Sequence, residues 1–367
     1  MRPMRVLLLS QYYHPVVGGV EEHIAGVAGG LVERGVTVQI VCSNTTPLGD
    51  VLPSGWSHVS GIPVYRTPTS GVGHALRWPG QLIVERPDLV HMHSMSRPML
   101  LRFLWERRGV PWVVTPHGAF SESGLLSVPQ AHRNVKLIFD RVLGKGLMAS
   151  ASSVIALTAD EADACRFVTP ERRVVLPNPL PDSAMALSRV DGGSSRRLLV
   201  VARLAPIKRI GDVIRALQLI DDPPGCDIAG PDAGDEAALR KLAACLPAGV
   251  VRFLGPVYGS EKQDLLRAAS ALVLPSAWEG LSIAALESLA QETPVIASRA
   301  AGSGLPEEGV VRFPTGNIEA LAAHIRELRC HSRAMELRAH AARGRARIAS
   351  LDEYVDRLLA IYEEAIG

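Results

Sequence analysis

Arg252 to Gly302 reads RFLGPVYGSEKQDLLRAASALVLPSAWEGLSIAALESLAQETPVIASRAAG, and two carboxylates, Glu279 and Glu287, stand eight positions apart in it. The short apolar run Ala271 to Leu274 reads as a strand that enters a Pro-Ser loop. The loop delivers Glu279 and Gly280, and a helix starting near Ser282 carries Glu287 in its second turn. On one continuous helix, this spacing would leave the carboxylates well out of line at about 3.6 residues per turn. With Glu279 in the loop and Glu287 on the helix, both can face a ligand over the helix N-terminus. That end has unpaired N–H groups and positive dipole character, a seat for a diphosphate. Carboxylates beside phosphate are repulsive unless they accept hydrogen bonds from hydroxyls. A ligand that fits carries both phosphates and sugar hydroxyls, as a nucleotide-sugar does.

Outward from this stretch, two segments look like first strands of separate domains: RVLLLS at 5–10 and RLLVVA at 197–202. Both are continuous apolar runs, as expected for strands buried on both faces of a parallel sheet. Further strands are expected at Val36–Cys42, Leu89–His93, Trp112–Thr115 and Val154–Leu157 in the first half. Cys226–Ala229, Val251–Leu254, Ala271–Leu274 and Pro294–Ala297 follow in the second. Strands alternating with helical patterns predict α/β units with parallel sheets. Residues 178–195 are rich in Pro, Gly and Ser and mark a linker. The expected division is 1–180, a linker at 181–196, and 197–349. Leu351, Tyr354, Val355, Leu358, Tyr362 and Ile366 make an apolar stripe on a last helix, 350–367. Two Rossmann-like domains whose loops face a central cleft follow, because ligands of open α/β sheets lie beyond the carboxyl ends of the strands.

Length and composition agree with two globular domains: 367 residues, 47% hydrophobic and 21% charged. A net charge of +2 gives no case for nucleic acid. The first half carries the basic excess, including Arg102, Arg107, Arg108, Arg133, Lys136, Arg141 and Lys145. Such a cluster meets anionic lipid head groups or phosphate, or is a solvated face. The five cysteines are spread without a C-x-x-C pair, so neither a zinc site nor a disulfide framework is expected, and a reducing cytoplasm fits. No stretch approaches the ~20 apolar residues of a membrane span, so any membrane contact has to be peripheral, at the inner face.

Several loops carry further candidates. Gly18-Gly19 precedes a helix, and its glycines tolerate positive φ and let a ligand approach the backbone. There is no G-x-G-x-x-G, which argues against a dinucleotide-binding dehydrogenase. His91 and His93 alternate on one strand, but no third metal ligand is evident at suitable spacing. His117 follows another strand, in Thr-Pro-His-Gly. Arg203 and Lys208, five residues apart in one loop, can converge on a diphosphate, the first as a planar fork and the second as a mobile point charge.

This ordered set resembles the retaining glycosyltransferases of family 4, the group 1 transferases of GT-B architecture, over essentially the whole chain. Glu279 and Glu287 match that family's glutamate–seven–glutamate motif. The resemblance implies that Arg203, Lys208, Gly19 and the amides near Gly280, Leu281 and Ser282 hold the donor diphosphate. Glu287 would accept from ribose hydroxyls, and Glu279 from hydroxyls of the donor sugar. Leu254 and Val257 would flank the base. His117 would lie nearest the reacting sugar, and Gly18 and His93 would line the acceptor side, with His91 a packed structural histidine. The last helix would cross back onto the first domain. Four departures stand out: Ala202 before Arg203, Arg209 after Lys208 where glycine is usual, Pro179 after Asn178, and Leu281-Ser282 in place of Phe-Gly.

The implied activity is retaining transfer of a sugar from a nucleoside diphosphate sugar to a hydroxyl of a sugar, lipid-linked or small-molecule acceptor. No cofactor is expected. No Asp-x-Asp motif occurs, so no metal-bridged diphosphate is expected either. A nucleotide-sugar epimerase or hydrolase on the same fold, and a non-catalytic relative, remain as alternatives.

Overall fold

The computed structural model describes residues 2–16, 18–46, 49–68, 86–94, 109–118, 142, 144–180 and 197–367. Of the basic cluster, only Lys145 falls in this range, and the linker at 181–196 lies outside it. The chain divides into two compact units, Met1–Pro179 with Leu351–Gly367, and Leu180–Ser350.

The first unit is built on β1 (Arg5–Leu9), β2 (Thr37–Ser43), β3 (Gly55–Val59), β4 (Ile62–Thr67), β5 (Leu89–His93), β6 (Trp112–Thr115), β7 (Ser153–Ala156) and β8 (Arg173–Val175). Among the described residues they form one sheet, in the order β3-β4-β2-β1-β5-β6-β7-β8. Helices α1 (Gly19–Glu33), α2 (Lys145–Ala149) and α3 (Ala159–Ala164) accompany it. Successive side chains of a strand point to opposite faces. Accordingly Val6 and Leu8 join one apolar core, with Ile24, Val27 and Leu31 of α1, while Leu7 and Leu9 join another, with Val90, Met92 and Trp112. That two-sided burial is why β1 reads as an unbroken apolar run.

The C-terminal helix (Leu351–Ile366) packs in this unit, with Tyr354, Val355, Leu358 and Tyr362 fully buried in the core it shares with α1. Each such side chain contributes roughly 1.5–3 kcal/mol. Gly30 of α1 is required by the close approach, since a Cβ there would come within 2.8 Å of Val355 Cγ2. Arg34 seals the edge of the contact through Asp352 (2.9 Å) and Asp356 (2.6 Å).

One element departs from the expected parallel sheet. β3 and β4 pair antiparallel at the sheet edge, with Trp56 opposite Tyr65. Ser60 and Gly61 connect them at φ 49° and 80°, the two left-handed residues of a tight hairpin whose twist suits the strands. Only one face of β3 is covered, so it alternates exposed and half-buried residues and shows no apolar run.

The second unit comprises β9 (Leu198–Val201), α4 (Ile210–Gln218), β10 (Cys226–Ala229), α5 (Glu236–Ala243), β11 (Val251–Gly255), α6 (Gly259–Ala268), β12 (Ala271–Leu274), α7 (Ile283–Ala290), β13 (Val295–Ser298), β14 (Val310–Phe313), α8 (Ile318–Glu327) and α9 (His331–Arg345). Its strands are all parallel, in the order β11-β10-β9-β12-β13-β14. This is the doubly wound 3-2-1-4-5-6 order, which switches direction between its first and fourth strands, here β9 and β12. The first sheet switches between β1 and β5. A crevice at the carboxyl ends of such strands is where open α/β sheets take ligands. Both units are thus Rossmann-like α/β layers.

Candidate active site

In the second unit, the loops leaving β9 and β12 meet at the switch point. Ala277 N–H donates to the carbonyl of Ile207 at 2.9 Å, stitching one loop to the other. The result is a direct ion pair. Lys208 Nζ donates to both oxygens of Glu279, at 2.7 and 2.8 Å, and the two side chains are only 17% and 13% exposed. Ser276 Oγ donates to Glu279 Oε1 at 2.7 Å, while the Ser276 carbonyl accepts from Ser298 Oγ at 2.6 Å. Ser276 and Ser298 were not anticipated as participants. The only sign of Ser276 in the sequence is its place in the Pro-Ser loop.

Arg203 stands in the same loop, exposed, with no ion-pair partner among the described residues. Its backbone is fixed from β10, where Leu204 N–H donates to the Pro231 carbonyl at 2.9 Å. Gly230 is packed so tightly on the Ala202 carbonyl that a Cβ would lie 1.9 Å from the oxygen. Arg209, the residue standing where glycine is usual, adopts φ 50° and ψ 32°. The left-handed conformation explains the glycine preference and costs a residue with a Cβ about 1–2 kcal/mol. An ion pair from Arg209 to Asp212 at 2.6 Å offsets part of that.

Ser282 caps α7, accepting from Ala285 N–H at 3.3 Å. This occupies a lone pair of its hydroxyl, whose proton remains able to donate. Gly280 is half-buried, and Leu281 is buried beside it. Glu287 lies in the second turn of α7, but it is buried and its Oε1 is engaged. Lys262 Nζ approaches it at 2.9 Å and Gln263 Nε2 donates to it at 2.9 Å, both from α6. These partners lie on a different helix, 24 and 25 residues away in the chain, so nothing beside Glu287 in the sequence points to them. At the end of β11, Leu254 is exposed and Val257 buried.

In the first unit, the ends of β5 and β6 bring four histidines together. His93 Nδ1 lies 3.3 Å from His117 Nε2. His23 of α1 completes the group, with ring centroids 5.6 Å from His93 and 5.8 Å from His117. Sequence reasoning passed over His23, because nothing in the spacing of 23, 93 and 117 reveals that α1 lies over the ends of β5 and β6. His91 is buried and fully engaged, by Tyr362 Oη at 2.7 Å and Thr115 Oγ1 at 2.9 Å. Burial drives His23 down to about 4, and burial with the neighbouring His23 drives His91 to about 3. His93 and His117 are pushed well below the usual imidazole range by the same cause. At neutral pH all four are uncharged, so His117 can donate or accept a hydrogen bond but brings no full charge.

Gly18 precedes α1 at φ −166° and Gly19 is its first helical residue, so neither uses positive φ. The conformational reason expected for this pair does not apply. A Cβ on Gly18 would meet only the mobile end of Glu21. Gly118 is different: it sits at φ 80°, and His117 before it at φ 50°. Among the described residues, no group of three or more His, Cys, Asp or Glu is arranged to hold a metal ion, and no helix is long and apolar enough to cross a membrane.

With this geometry in place, the class is defined by comparison. The family described as "Glycosyl transferase 4-like domain" matches residues 18–179, and "Glycosyl transferases group 1" matches residues 195–330. The D-inositol 3-phosphate glycosyltransferase of Streptomyces avermitilis is 30% identical over 352 residues, covering 82% of this chain and 74% of the relative. The glycogen synthase of Mycobacterium tuberculosis is 28% identical over 93% of this chain and 90% of its own length. Among solved structures, sucrose-phosphate synthase from Thermosynechococcus elongatus has a TM-score of 0.79 at 19% identity, covering 98% of both chains. Anabaena HepE in complex with UDP and glucose has a TM-score of 0.74 at 17% identity, covering 98% of this chain and 99% of its own. The chain belongs to the group 1, family 4 glycosyltransferases, with the GT-B fold.

Proposed function

We propose that this glycosyltransferase moves a sugar from a nucleoside diphosphate sugar to an acceptor hydroxyl with retention at the anomeric carbon, and that it needs no divalent metal. The observation that carries this is the Lys208–Glu279 pair at the switch point of the second sheet, with Arg203 in the same loop. In this reading Arg203, Lys208 and the amides of Leu281 and Ser282 neutralise the departing diphosphate. Glu279 accepts from hydroxyls of the donor sugar, and Glu287, steadied by Lys262, accepts from the ribose. Leu254 and Val257 flank the base. His117, His93 and the Gly18-Gly19 turn meet the reacting sugar and the acceptor, which is a sugar, a lipid-linked or a small molecule. HepE structures with UDP and with UDP-glucose support the donor class, and the relatives named D-inositol 3-phosphate glycosyltransferase support a hydroxyl-rich acceptor.

No carboxylate is offered as a covalent nucleophile in this scheme. Glu279 is tied to Lys208 and Ser276, so displacement proceeds at the front face while the diphosphate is still held. A cytoplasmic location, with peripheral membrane contact for a lipid-linked acceptor, belongs to the same proposal. Calorimetry against a panel of UDP-, GDP- and ADP-sugars tests it. Micromolar-range binding of one of them, followed by transfer rather than hydrolysis when acceptors are added, is expected. Release of free sugar or an epimer as sole product would replace transfer by another reaction.

A further inference from the structure

Thr158 to Glu161 has the spacing of a capping box, in which the acid at the third helical position normally turns back to the N–H of the cap residue. Glu161 does something else. Its own N–H donates to Thr158 Oγ1 at 3.1 Å, and its Oε2 accepts from Leu157 N–H at 2.6 Å. Its Oε1 leaves the helix and accepts from the N–H of Gly118, in the loop that follows β6. The residue is 6% exposed, and no cation pairs with it among the described residues. Burial raises its carboxyl, and the two amide bonds pull it back. Placing a carboxylate here at all is costly, and among the described residues two backbone amides offset that cost.

The target of that bond matters. The Gly118 N–H belongs to the peptide unit that begins at His117, so its orientation is the ψ of His117. His117 is held in the left-handed region at φ 50°, a state worth avoiding by about 1–2 kcal/mol for a residue with a Cβ. Released, the loop would relax toward ordinary backbone and carry the imidazole away from His93, which it now meets at 3.3 Å.

We propose that Glu161 is a positioning residue for transfer: by clamping the His117–Gly118 peptide it holds the His117 imidazole against His93, ready for the reacting sugar. This rests on His117 being the residue nearest that sugar. Glu161→Gln keeps the size of the side chain but sets an amide NH2 against one of the two backbone donors. The expected outcome is a loss of tenfold or more in kcat, with donor KM within twofold of wild type and amide exchange at Gly118 at least tenfold faster. In a His117→Ala background the same substitution should cost less than twofold more, because the group it positions is gone. Glu161→Asp, which keeps the charge but is one methylene too short to hold both amides, gives the same test with a smaller loss if the glutamine variant does not fold. A wild-type kcat in Glu161→Gln beside an impaired His117→Ala would overturn the proposal. So would a Glu161→Gln loss that multiplies undiminished in the His117→Ala background. A wild-type kcat in His117→Ala would instead overturn the role of His117, and the proposal with it.

Discussion

Glu279→Gln should tighten the binding of a free nucleoside diphosphate while it abolishes efficient use of the sugar-bearing donor. Without ligand, Lys208 spends two hydrogen bonds on the Glu279 carboxylate, at 2.7 and 2.8 Å. A diphosphate has to win that ammonium from a full negative charge. Glutamine retains the shape, and its oxygen can still accept from Ser276 and from Lys208, but only as a neutral group. Lys208 keeps its charge, so its bond to the glutamine oxygen is still charge-assisted, but it falls from two such bonds to one, a loss of about 1.5–3 kcal/mol. The competitor is weaker by that amount, or roughly ten- to a hundredfold in affinity for the diphosphate. The intact donor gains the same relief but loses the charged acceptor for its sugar hydroxyls, so turnover should fall by about a hundredfold. Calorimetry with UDP, GDP and ADP reads the first effect, and steady-state transfer reads the second. Weaker diphosphate binding in a folded Glu279→Gln protein would refute the competition between Glu279 and the ligand for Lys208.

Arg203→Ala and Lys208→Ala should each weaken nucleoside diphosphate binding by about 1.5–3 kcal/mol, again by calorimetry, with thermal midpoints that show an intact fold. Unchanged affinity would remove that residue from the site. Lys262→Met removes the ammonium that faces Glu287 inside the second unit, where both members of the ion pair are at most 10% exposed. Urea denaturation should show a loss of about 3–5 kcal/mol, and much less when Glu287 is replaced by Gln as well. Stability should also fall as the pH drops from about 6.5 toward 4. Above 6.5 neither folded nor unfolded chain protonates His23. Below it the unfolded chain takes a proton that the folded chain, with His23 held at about 4, refuses. Roughly 1.4 kcal/mol per pH unit is expected from this group, and a flat profile over pH 5–7 would contradict the buried, neutral cluster.

What could be read from the sequence depended on how far apart the interacting groups lie. Strands buried on both faces announce themselves as apolar runs, so β1, β5, β6, β9, β10 and β12 were found within a residue or so of their observed bounds. The β3–β4 hairpin was missed because an edge strand covered on one side carries no such run, and Pro63 sits within it. Glu279 and Glu287 were legible from strand, loop and helix in immediate succession. Their partners were not. Lys208 reaches Glu279 across 71 residues, and Lys262 reaches Glu287 from a different helix. Arg209 was visible as an odd residue after Lys208, but only its left-handed backbone explains what glycine usually does there. His23 and Glu161 gain their meaning from which strand ends are adjacent, a fact fixed by sheet order alone.

A transfer assay in excess EDTA, with the anomeric configuration of donor and product read by proton NMR, most directly tests the central claim of metal-independent retaining transfer. With the preferred α-linked nucleoside diphosphate sugar and its acceptor, an α-linked product should form at an undiminished rate. A β-linked product, or activity abolished by EDTA and restored by magnesium or manganese, would contradict it.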